Sequence, residues 1–182
     1  MAWRENGVGS MPARDVMDIL TFNGTPCPVI RLLGKGKGGY SYLVEWAGQS
    51  RVLKQIHHEP CDYYTFGDKL QSELTDYDRL CAAGIPVPKL LGVDRAGERI
   101  LKEYVEGPTV MQLIEQGRSV EAYIPAARAM AEKAKASGLN IDYYPTNFVV
   151  NGDKLWYIDY ECNAYMDEWS FEHWGLRYWT RK

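Results

Sequence analysis

Apolar and polar residues alternate from Tyr40 to Trp46, and this two-residue period predicts a strand that stops at the Ala47-Gly48 turn. The apolar run Pro28–Leu33 predicts a strand before it, and Arg51–Ile56 predicts one after it. A cluster of glycines separates the first two. From about Tyr63 to Ala83 the period changes: Phe66, Leu70, Leu74, Tyr77 and Leu80 recur at three- and four-residue steps, which predicts a helix. Gly84 ends it, and Pro86 and Pro88 keep it from resuming. Two short strands, Leu90–Val93 and Arg99–Tyr104, flank a turn at Asp94–Gly97. Helices are expected at Val110–Gln116 and, in an alanine-rich stretch, at Val120–Ser137, with Gly138 as its stop. A loop at 140–147, strands Phe148–Val150 and Lys154–Ile158 around Asn151-Gly152-Asp153, and a partly helical aromatic tail complete the chain. Strands gathered early and helices later argue for an α+β arrangement, an antiparallel sheet beside a helical part. Residues 1–26 read as an extension packed on the main body.

Composition leaves this picture intact. The chain has 182 residues, 46% hydrophobic and 25% charged, with a formal net charge of -3. No basic excess points to nucleic acid. No apolar run approaches the roughly 20 residues of a membrane span, and no signal-peptide pattern opens the chain. Its four cysteines (Cys27, Cys61, Cys81 and Cys162) form no C-x-x-C pair and read as reduced thiols in a cytoplasmic protein. His57, His58 and Cys61 lack a second ligand pair at zinc spacing and read as an exposed turn.

Three groups of residues carry candidate chemistry. Gly34-Lys35-Gly36-Lys37-Gly38-Gly39 fits G-x-G-x-x-G, and a strand rather than a helix follows it. Glycines at such a loop let main-chain N–H groups approach phosphate oxygens; taken alone, the stretch is equally a flexible hairpin. Val52-Leu53-Lys54 is an apolar strand carrying one lysine, and Glu73 on the following helix is its candidate carboxylate partner. Asp142 and Asn147 stand five apart in a loop before a strand, and Asp159 ends an apolar strand twelve residues after Asn147. Two carboxylates and an amide converging beside a phosphate loop suit Mg²⁺, a hard cation that takes oxygen ligands and keeps several waters.

These residues resemble the protein-kinase-like superfamily, above all its compact RIO-type members, over about Val29 to Asp167. The resemblance implies a bilobal fold with an antiparallel-sheet N-lobe at 27–104 and a truncated helical C-lobe at 105–182. It implies ATP and Mg²⁺ as ligands. Gly34, Gly36 and Gly39 would cover the phosphates, Lys54 would touch them, and Glu73 would hold Lys54. Main-chain groups of Glu103 and Val105 would bind adenine, with Leu101 near the gatekeeper position. Asp142 would be the catalytic base, and Asn147 and Asp159 the metal ligands. Three departures stand beside this. Asn140 occupies the place of the usual histidine. The D-F-G motif reads Asp159-Tyr160-Glu161, similar to choline-kinase-like and aminoglycoside-kinase-like enzymes. Only 23 residues follow Asp159 in the chain of 182.

The expected activity is therefore transfer of the γ-phosphate of ATP to a hydroxyl, in the manner of a minimal serine/threonine protein kinase. A small-molecule hydroxyl kinase and a nucleotide-binding regulator without turnover are the competing readings. The aromatic tail is expected to cap the helical part, with a substrate platform or dimer contact as its alternative use.

Overall fold

In the computed structural model residues 18–59 and 68–180 are described. Most of the expected extension lies outside these residues, as do Cys61 and the helix start at Tyr63 and Phe66.

The fold is α+β. Its main sheet is curled, antiparallel and six-stranded, in the order β1 (Ile19–Phe22), β2 (Thr25–Lys35), β3 (Gly39–Trp46), β4 (Gln49–Ile56), β6 (Arg99–Glu103) and β5 (Leu90–Asp94). The sheet begins inside the stretch read as an extension. Asn23 and Gly24 both hold positive φ, 47° and 79°, as a two-residue hairpin turn of the favoured hand requires. That turn aligns Phe22 with Thr25 and folds β1 onto β2. Helix α1 (Lys69–Ala82) starts at Asp68, whose carboxylate accepts a hydrogen bond from the Gln71 N–H at 2.9 Å.

After the sheet come α2 (Val110–Glu115) and α3 (Ile124–Ala136), the latter entered through a short 3-10 turn at Glu121–Tyr123. Thr109 and Gln112 form a reciprocal capping box at the start of α2. A three-residue strand, β7 (Leu139–Ile141), pairs antiparallel with β10 (Cys162–Ala164). Between them β8 (Phe148–Asn151) and β9 (Lys154–Tyr157) make the expected hairpin. β7 falls at the start of the expected loop and β10 in the tail expected to be partly helical, because three residues are too few to show a period. The tail carries a π-helical turn at Phe171–Gly175 and ends in α4 (Leu176–Trp179).

Two faces of the main sheet bury different residues. Phe22, Cys27, Val44, Leu53 and Leu101 pack together on one face. Ile56 and Ile100 on the other meet Leu70 of α1 and Tyr160. The largest cluster joins α2, α3, the β8–β9 hairpin and the tail, with Phe148, Tyr157, Phe171 and Trp179 at its centre. The Trp179 ring N–H donates to the Tyr143 carbonyl at 2.9 Å, so the tail closes this core as expected. No helix among the described residues is long and apolar enough to cross a membrane.

Candidate functional site

Lys54 lies on the α1-facing side of β4, where its neighbours in the strand are apolar. Its Nζ is 2.5 Å from Glu73 Oε1 and 3.7 Å from Asp159 Oδ1. The Lys54 and Glu73 side chains are only 11% and 12% exposed, so this is a buried ion pair and its loss would be costly. Burial works against the Lys54 charge, but Asp159 and Glu73 outweigh it and hold the ammonium above its ordinary range. Burial likewise works against Asp159, and the nearby Lys54 and Lys102 hold its carboxyl below the usual value.

The glycine stretch turns over this pair. The Gly36 N–H donates to the Gly39 carbonyl at 2.9 Å and closes the β2–β3 turn. A Cβ on Gly38 would lie 2.9 Å from Glu73 Oε1 and 3.3 Å from Lys54 Nζ. One on Gly39 would meet the Gln55 carbonyl at 2.2 Å. The requirement for glycine therefore falls on Gly38 and Gly39. Gly34 and Gly36 meet nothing closer than 4.0 Å. Gly38 has no fixed place in the G-x-G-x-x-G spacing, which is why the motif does not single it out. His57 supports the turn, with its N–H donating to the Gly38 carbonyl and its Nε2 lying 3.1 Å from the Gly36 carbonyl. His58 faces the Glu98 carboxylate at 2.8 Å.

One strand pairing and four hydrogen bonds draw the segments of the catalytic candidates together. The β7–β10 pairing aligns Ile141 with Cys162, which draws the chain after Asp159 alongside the chain before Asp142. The Tyr157 hydroxyl accepts from the Asp142 N–H at 3.3 Å and donates to the Glu161 carbonyl at 2.8 Å. The Ile158 N–H donates to the Asn147 carbonyl at 2.9 Å, and the Asn147 side-chain amide donates to the Asp142 carbonyl at 3.3 Å. Asn140 braces the loop: it is 4% exposed, and its side-chain amide donates to the Met166 carbonyl at 2.7 Å. The Cys162 N–H reaches Asp76 of α1 at 3.3 Å, tying the helix that carries Glu73 to the same segment.

Glu161 belongs here too. Burial and the neighbouring Asp159 and Asp142 carboxylates push its carboxyl above the usual range. Below its unfolded value of about 4.3 the residue is protonated in both states and contributes nothing. Above its raised folded value it is ionised in both and costs stability. Glu161→Gln is therefore expected to stabilise the protein at pH 7 by about 0.5–2 kcal/mol, as functional-site charges often allow. Thermal melts should show the gain vanish near pH 4, and a gain of equal size at both pH values would contradict it.

The linker after β6 places the remaining candidates. The Glu103 N–H is committed to the Lys89 carbonyl at 2.9 Å. Val105 is half-buried and its main-chain N–H makes no hydrogen bond with another described residue. Both border an open depression of about 400 Å³ that Arg51, Asn151 and Trp156 also line. Leu101 does not share a face with Lys54: it packs with Leu53 on the opposite face of the sheet. Lys102 takes its place. Its register partner is Val52, two residues from Lys54 on the same face, and it is 5% exposed. Burial, reinforced by the like charge of Lys54, pushes its ammonium down to about 8.

Among the described residues no group of three or more His, Cys, Asp or Glu side chains is gathered to hold a metal ion. The donor chemistry nonetheless fits magnesium. Asn147 spends its N–H₂ on the Asp142 carbonyl, which leaves its oxygen free. Asp159 Oδ1 takes the Tyr160 N–H at 2.9 Å and faces Lys54, and its second oxygen makes neither contact. Two oxygens are a normal protein share for a cation that keeps its waters. No protein-family model and no curated protein matches the chain.

Proposed function

We propose that the protein is a compact ATP- and Mg²⁺-dependent phosphotransferase with a bilobal, protein-kinase-like arrangement, acting on a hydroxyl acceptor. One observation carries this reading: Lys54, clamped between Glu73 at 2.5 Å and Asp159 at 3.7 Å, lies under a glycine turn that leaves no room for a side chain. A buried cation held ready beneath a glycine turn of the main chain suits the phosphates of a nucleotide. The main-chain carbonyl of Glu103 and N–H of Val105 would take the base.

Each residue then has a task. Lys54 holds the phosphates, and Glu73 fixes its direction. Asn147 and Asp159 would hold magnesium, whose charge offsets that of the transferring group. Asp142 orients the acceptor hydroxyl and receives its proton as the oxygen–phosphorus bond forms. The bond from the γ-phosphorus to the bridging oxygen breaks, and ADP leaves with that oxygen. Positioning and charge stabilisation supply most of the rate.

Purified protein with Mg²⁺ and γ-labelled ATP is expected to hydrolyse ATP or transfer its label. Asp142→Asn should lower that rate by about 10²–10⁴-fold, the range for a positioned general base. Full activity in the variant would remove Asp142 from this role. Nucleotide-dependent thermal stabilisation without turnover on a broad acceptor panel would favour the regulator instead.

A further inference from the structure

Lys102 is a buried ammonium that the proposed reaction does not use. Among the described residues it forms no ion pair within 4.0 Å, although a methionine or leucine would fill similar space without the cost of burying a charge. Its contacts show what the charge does. Nζ donates to the Ile158 carbonyl at 2.7 Å and lies 4.5 Å from the centre of the Tyr160 ring. Ile158 and Tyr160 are the two neighbours of Asp159. Tyr160 is held further by its hydroxyl, which donates to the Pro88 carbonyl, and by the Tyr77 ring at 4.7 Å.

Lys102 thus grips the chain on both sides of Asp159 from a strand register-paired with the one that carries Lys54. We propose that Lys102 is a positioning residue that fastens the Asp159 segment to the main sheet, setting the carboxylate where it meets Lys54 and magnesium. This rests on the phosphotransferase reading. It also explains why a lysine stands where the β4–β6 register leaves an inward-facing position. The sheet and the β8–β9 hairpin reach this point through different parts of the chain, and a main-chain carbonyl offers a side chain on β6 a handle that does not depend on the residue at 158.

The test compares wild-type protein with Lys102→Met and Lys102→Gln, the latter retaining an N–H donor for the Ile158 carbonyl. Hydrogen exchange should show faster exchange at 158–161 in the methionine variant. The magnesium concentration giving half-maximal stabilisation by an ATP analogue should rise by about 10- to 100-fold, as for other residues that orient metal ligands. Lys102→Gln should fall between the two, and it carries the comparison if the methionine variant does not fold. Unchanged exchange and an unchanged magnesium requirement, in wild-type protein that does bind magnesium and nucleotide, would overturn the role of Lys102 alone. Wild-type protein that binds neither would remove the phosphotransferase reading and this inference with it.

Discussion

Lys54→Met is expected to abolish phosphotransfer and to destabilise the fold by about 3–5 kcal/mol at pH 7, the usual cost of removing one partner of a buried ion pair. Both losses come from one atom. Lys54 Nζ meets Glu73 at 2.5 Å and Asp159 at 3.7 Å, and the Glu73 side chain is only 12% exposed, so its carboxylate would be left poorly solvated without the lysine. Turnover should fall by at least about 10²–10³-fold, the range for losing one preorganised charge-stabilising group.

The pH dependence separates this from a packing defect. In the wild-type protein the Asp159 carboxyl is held below its unfolded value, so it adds stability above about pH 4 that is lost as pH falls through the folded value. Without Lys54 the strongest force holding the carboxyl down is gone, while Lys102 and the Tyr160 N–H remain. The Asp159 carboxyl then moves up, its ionised form adds less stability at neutral pH, and acidification toward pH 4 removes this difference from the wild type. Chemical denaturation at pH 7 and pH 4.5 should show the gap between variant and wild type narrowing at the lower pH. Lys54→Met combined with Glu73→Gln should recover much of the stability and none of the turnover. A gap that is independent of pH would mean that Lys54 acts through packing of its stem and not through its charge.

Much of this site could be read from residue order because its parts lie at element ends with strong local signals. Ala47-Gly48 marks a turn, Gly84 and Gly138 mark helix ends, and Lys54 stands out in an apolar strand. Asp142, Asn147 and Asp159 are brought together by a hairpin that Asn151-Gly152 announces. Residue order was least informative where register decides. Leu101 and Lys102 differ by one position, and in a strand one position is the difference between the two faces. Only the alignment of Val52 with Lys102 says which one meets Lys54. The β7–β10 pair was invisible because strands three residues long, with partners 21 to 25 positions apart, carry no periodic pattern. Asn23-Gly24 is a different case: the dipeptide is a strong hairpin signal, and it was legible between Ile19–Phe22 and the strand that follows.

Glu161 shows why local rules break at this place. A carboxylate already crowded by Asp142 and Asp159 is a poor choice for stability, and an amide would fit without the repulsion. A sequence selected for folding alone would not keep two buried lysines and three carboxylates around one strand end. Conflicts of this kind between local preference and global structure gather where chemistry is done.

The second large effect is structural and does not depend on any activity. Gly107→Ala is expected to destabilise the protein by more than about 3 kcal/mol, because it combines backbone strain with a main-chain collision. Gly107 has φ of 143°, a region nearly closed to residues with a Cβ, and an added Cβ would lie 2.0 Å from the Val150 carbonyl oxygen. Neither chain can yield cheaply. The Val150 N–H donates to the Pro108 carbonyl at 3.0 Å, the Asn151 side-chain amide to the Glu106 carbonyl at 2.8 Å, and Thr109 bridges to Val149. These bonds stitch the linker after β6 onto the β8–β9 hairpin, and a shift large enough to admit a methyl group would break several of them. Gly117→Ala is the control: its φ is 70° and nothing lies within 4 Å of the added atom, so only the left-handed conformation costs, about 1–2 kcal/mol. Urea unfolding of the two variants measures the difference. Equal losses would mean that the linker is loosely held, and with it the placement of Glu103 and Val105. A much larger loss at Gly107 would show that the linker is a rigid joint, so that the sheet bearing Lys54 and the hairpin leading to Asp159 keep a fixed spacing in the absence of any ligand.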